Sequence, residues 1–118
     1  MQKYTIRFTI STNDDDILRV IFNDQVNTVS LGAGISITYE NRENDRINMF
    51  IEITDESIKE YRKEMVFDVI SNIIASWIVY RLTGKPVRLE LNGIELPVKK
   101  VIIRNTVEKE LQKSTLLQ

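Results

Sequence analysis

Arg7, Arg19, Arg88 and Phe50 are the residues of this chain whose types allow the most specific chemistry. Guanidinium groups gathered around an aromatic ring would hold a nucleotide-like anion or contact an RNA strand across a sheet face. Arg7 and Arg19 fall on neighbouring strands if the first two apolar runs pair as a hairpin, and Arg88 and Phe50 could join them. The competing reading is an ordinary solvated face on which these arginines pair with Glu52, Glu90 and Glu95.

Three other clusters carry less. Asn13, Asp14, Asp15 and Asp16 offer oxygens to a hard cation, but the central glycine and distant glutamate of a calcium loop are missing, and Asn and Asp favour turns. Gly32, Ala33 and Gly34 lack the glycine spacing and the following Lys-Ser/Thr of a phosphate loop, so a strand bend is expected. Lys99, Lys100 and Arg104 form a small basic cluster that would reach few phosphates, and affinity for nucleic acid scales with their number. Its ordinary meaning is a charged strand edge protected from aggregation.

The 118 residues include no cysteine and no histidine, which removes thiol nucleophiles, the usual metal-ligand sets and the commonest general base. No pair of carboxylate, lysine or tyrosine groups can be placed together from the sequence. No catalytic residue, metal ligand or cofactor is therefore assigned. A net charge of −1 gives no global attraction to nucleic acid or anionic lipid. The start of the chain runs straight into a strand pattern without a leader, and the most apolar window, residues 66–82, carries Asp68, Asn72 and Arg81. These features favour a cytoplasmic, non-membrane protein. The isoleucine- and asparagine-leaning composition is similar to that of bacterial or phage proteins from AT-rich genomes.

The elements that must position these residues follow from hydrophobic period. Tyr4, Ile6, Phe8 and Ile10 alternate with polar residues, as do Ile47, Met49, Ile51 and Ile53, and both runs predict strands with one dry face. Residues 17–23 read as a second strand, and 26–39 as two strands interrupted at Gly32–Gly34. Ser57 and Glu60 have capping-box spacing at the start of one long helix reaching Leu82, where Gly84 and Pro86 end it. Asn92-Gly93 between two short apolar runs predicts a tight hairpin. Residues 98–104 read as an extension of its second strand, followed by a short helix capped by Asn105 and Glu108. The sum is one α+β domain over residues 1–118: a two-layer, mainly antiparallel sheet in ββββ-α-ββ-α order with one long helix packed across it.

That helix loses its polar face halfway along. Val66, Val69, Ile70, Ile73, Trp77 and Tyr80 make the seam expected to lie on the sheet. Phe67, Ile74 and Ile78 lie about a third of a turn away, and Asn72 and Ala75 belong to a third side suited to close approach of another helix. Val107, Leu111, Leu116 and Leu117 look too few to cover so much surface. Phe67, Asn72, Ile74, Ala75 and Ile78 are accordingly expected to form a twofold homodimer interface, the competing reading being a monomer whose own terminal helix and hairpin fold over both extra sides. The function expected from sequence is a non-catalytic protein-interaction module (inhibitor, adaptor or assembly subunit) that self-associates through this helix and presents a sheet face or edge to a protein partner. The alternative is a small-ligand binder for a nucleotide-like anion. Nucleic-acid binding through Lys99, Lys100 and Arg104 ranks third.

Overall fold

The computed structural model describes residues 3–22, 27–32, 34–60 and 65–114. Along the chain it contains β1 (Lys3–Ser11), α1 (Ile17–Phe22), β2 (Thr28–Gly32), β3 (Ile35–Glu43), β4 (Arg46–Thr54), α2 (Asp55–Glu60) and α3 (Val66–Leu82). The hairpin strands β5 (Arg88–Leu91) and β6 (Ile94–Leu96) follow, and then α4 (Lys100–Gln112). The strands form one antiparallel sheet in the order β2-β3-β4-β1-β5-β6, and the architecture is α+β with the long helix α3 packed on the sheet.

Period two sets the layers. Ile6, Phe8 and Ile10 of β1 and Ile47, Met49, Ile51 and Ile53 of β4 point to one face, joined by Ile35, Ile37, Leu89 and Leu91. All are essentially without solvent contact and belong to one cluster with Ile70, Ile74 and Ile78 of α3 and Ile103, Val107 and Leu111 of α4. The helices therefore roof one face of the sheet. Among the described residues, no helix is long and apolar enough to cross a membrane.

Four expectations about the elements change. The run from Ile17 is helical, because Ile17 and Ile21 stand one turn apart and bury together, with Phe22 beside them. Asp14 starts that helix: its side chain accepts the Asp16 amide and its carbonyl accepts the Ile17 amide. Asn23 and Val26 lie outside the described residues.

The single helix from Ser57 becomes two. Asp55 follows β4 directly and opens α2, so Ser57 sits inside that helix, buried, and is no capping residue. At Met65 the chain turns before α3 starts, and residues 61–64 lie outside the description.

Beyond the hairpin, residues 100–104 are helical: Ile103, Val107, Leu111 and Ser114 recur at three-and-four spacing and bury against the core. Asn105 and Glu108 are mid-helix residues, and the expected cap at that point does not form. The hairpin itself matches expectation, with Asn92 at φ 49° and Gly93 at φ 81° in the two turn positions.

The seams on α3 also change. Ile74, Ala75 and Ile78 are completely buried within the chain, so they cannot be the surface of a dimer in this fold. The physical reason is α4. At 13 residues it is long enough to lie along α3 and bring Ile103 to the seam, which a strand at that position would not have done. Leu116 and Leu117 lie outside the described residues. Phe67 is half-buried against the same core, and Asn72 turns back to donate to the Asp68 carbonyl of its own helix. Tyr80, expected on the sheet, is 81% exposed.

Candidate functional site

The face of the sheet opposite the helices is where the polar residues of the strands converge. Its rows follow from the pairing register. Thr28, Thr38, Phe50 and Arg7 stand side by side across β2, β3, β4 and β1. The next row brings Asn41, Asn48, Thr9, Glu90 and Glu95 together. Beyond it lie Glu43, Arg46, Ser11 and Arg88.

At the centre the Arg7 guanidinium lies over the Phe50 ring, 5.9 Å from its centroid, a cation–π contact. Arg7 makes no ion pair among the described residues, and it is exposed. Its backbone is held by the hairpin turn: the Arg7 amide donates to the Asn92 side-chain oxygen at 2.8 Å, and the Asn92 amide donates to the Arg7 carbonyl at 2.9 Å.

Beside this pair is a polar depression of about 330 Å³ lined by Arg7, Thr9, Arg46, Asn48, Glu90 and Asn92. Arg46 bridges to Glu90 at 3.2 Å, reaching across β1. Under it Thr9, only 7% exposed, donates to Asn48, and Asn48 donates to Asn41 at 2.9 Å. The floor is thus a chain of hydroxyl and amide groups fixed by their neighbours.

Of the four ligand-binding candidates, Arg7 and Phe50 are brought together. Arg88 is not: it stands opposite Ser11, four positions along β1 from Arg7, or about 13 Å at strand rise, and pairs with Glu95 at 3.0 Å. Arg19 is not either, because it rides on α1, whose Ile17, Ile21 and Phe22 join the core beneath the helical layer. The basic cluster is divided. Lys99 and Lys100 are exposed at the start of α4, whereas Arg104 is engaged with Asp68 and with Glu108 at 3.1 Å. None of the three is on a strand edge. Asp14, Asp15 and Asp16 flank α1, and among the described residues no group of acidic side chains is arranged to hold a metal.

Asn92 was legible only as a turn residue, yet it touches three elements. Besides Arg7, its side-chain nitrogen donates to Glu110 of α4 at 2.9 Å. The Glu110 carboxyl is held below its ordinary value by that bond, against the opposing effect of burial and with help from Lys113. Tyr4 close by has its phenol pushed up, first by burial and then by the Glu110 charge. Neither Tyr4 nor Glu110 lines the depression, although Asn92, which does, is bonded to Glu110. No sequence signal marks Asn92, Arg46 and Asn48 as neighbours, because their meeting depends on strand order.

No family model, curated protein or solved structure matches this chain. The reading of the site rests on its own geometry.

Proposed function

We propose that this protein is a non-catalytic interaction module that engages a protein partner through the uncovered face of its sheet. The observation that carries the reading is the Arg7–Phe50 pair at the centre of that face, where an exposed arginine with no carboxylate partner among the described residues stacks on a half-buried ring. Arginine and aromatic residues are the commonest anchors of protein interfaces, and the surrounding Thr, Ser and Asn side chains resemble a polar rim. The opposite face, by contrast, is filled by the chain's own α3 and α4.

The test is capture from a lysate of the protein's own cells on the immobilised full chain. Arg7→Ala with Phe50→Ala should abolish retention of the partner, and Tyr80→Ser on the helical side should leave it unchanged. Equal retention by both variants, at matched melting temperature, would sink the reading.

A second reading, a binder of a nucleotide-like anion, is favoured by the same stacked pair, since a planar anion would use both the ring and the guanidinium. Under it, a nucleotide panel raises the melting temperature of the wild type and not of Arg7→Ala.

A further inference from the structure

The hairpin covers only half of the strand it pairs with. β1 is nine residues long, but β5 pairs with Phe8 to Ser11 alone, and the turn residue Asn92 closes that ladder on Arg7. On that side, Lys3 to Ile6 have no strand neighbour among the described residues. Backbone groups two positions apart on a strand point to the same edge. The amides and carbonyls of Lys3 and Thr5 therefore point the same way as those of Arg7, into this gap, and both residues are exposed.

We propose that the Lys3–Arg7 half-edge of β1 is a strand-addition site for an extended acidic segment of a partner protein. The inference rests on the reading of the chain as an interaction module and names the chemistry of its partner. Two donors and two acceptors that no described residue engages, in strand geometry, are recognised by extended backbone. Charge selects the sequence.

Lys3 and Arg7 flank Thr5 on the open face, and Lys113 is exposed near the closed end of the gap. The nearby acids are already engaged: Glu110 is buried against Asn92 and Lys113, and Glu52 lies on β4, across β1 from the gap, within 3.9 Å of Lys3. With Lys3 beside Glu52 and Lys113 on Glu110, Arg7 is the one of these three cations that has no acidic partner among the described residues. A second copy of the chain is the wrong occupant, because a twofold centred on Thr5 would set Lys3 of one copy opposite Arg7 of the other, and like charges directly opposed destabilise a ladder.

The experiment uses the isotope-labelled full chain, a seven-residue peptide alternating valine with glutamate, and its lysine counterpart. With the acidic peptide, exchange of the Thr5 amide with solvent should slow by about tenfold or more, since it becomes a ladder donor. The lysine peptide should have no such effect. Thr5→Pro removes the donor at a position where the fold does not use it and should abolish binding. Lys3→Glu with Arg7→Glu should reverse the preference to the lysine peptide, which keeps the test decisive if Thr5→Pro does not fold.

A Thr5 amide already protected in the free protein, equal binding of the two peptides, or full binding by Thr5→Pro would each overturn the site. If lysate capture is lost in Arg7→Ala with Phe50→Ala but kept in Thr5→Pro, the edge inference falls and the open-face reading stands. If neither variant affects capture, both fall.

Discussion

Asn92 in the β5–β6 turn donates its side-chain amide to Glu110 of α4 at 2.9 Å while its side-chain oxygen accepts the Arg7 amide at 2.8 Å. One residue thus joins the hairpin, the central strand and the last helix. Asn92→Gly keeps the positive φ and removes both side-chain bonds, leaving the buried Glu110 carboxylate short of a donor. The expected loss is about 1–3 kcal/mol, read from the urea midpoint. An unchanged midpoint would mean that the turn is held by its backbone alone.

The same bond makes stability depend on acid. The Glu110 carboxyl is lowered from 4.5 in the folded chain, first by the Asn92 donor, so the unfolded chain binds more protons in this range. Its contribution is complete above about pH 4.5 and is lost as the pH falls through the lower folded value. The stability difference between wild type and Glu110→Gln should therefore be flat from pH 7 to about 5 and shrink below it. Denaturant titrations at a series of pH values check this, and a gap that widens in acid contradicts it.

Gly34 has no room for a side chain. It has φ 72°, and a β-carbon there would stand 2.6 Å from Thr54 Oγ1 and 2.7 Å from the Ser57 amide nitrogen. Gly34→Ala should cost about 2–4 kcal/mol, combining left-handed strain with overpacking. Gly84, at φ 80° with nothing within 4 Å, carries the strain alone, so Gly84→Ala should cost about 1 kcal/mol. Equal losses at the two sites would remove the packing argument.

Ile74 is fully buried and Tyr80 is 81% exposed, although they stand only six residues apart on α3. Ile74→Ala should lose about 2–5 kcal/mol, as cavity formation in a packed core does. Tyr80→Ser should stay within about 0.5 kcal/mol. Thermal unfolding of both variants decides which side of α3 is core.

Strands that alternate over many residues were legible in the sequence, since β1, β4 and the Asn92-Gly93 hairpin each carry a periodic signal that tertiary contacts reinforce. The short α1 was not, because six residues fit both periods and the aspartates before it read equally as a turn or a helix start. The α4 boundary failed for a different reason. Val101 and Ile102 are apolar yet exposed at its first turn, which blurs the helical stripe that becomes clean only from Ile103.

Of the candidate site, the Arg7–Phe50 pair was within reach because both residues sit on the polar face of well-marked strands. Arg19 was lost with its strand. Arg88 was on the right face at the wrong distance, since register along β1 is fixed by where the hairpin closes. The interface residues Ile74, Ala75 and Ile78 were correctly read as needing cover; what was missing was that α4 is long enough to provide it.

β1 precedes the other five strands in sequence and is an inner strand of the sheet, between β4 and β5. Its neighbours are some 40 and 80 residues away in sequence, so Ile6, Phe8 and Ile10 have no lasting shelter until most of the chain has been synthesised. Contacts this distant slow folding and expose a sticky segment meanwhile. Of the six strands, β1 is thus the one that waits across the longest stretch of sequence for its second neighbour.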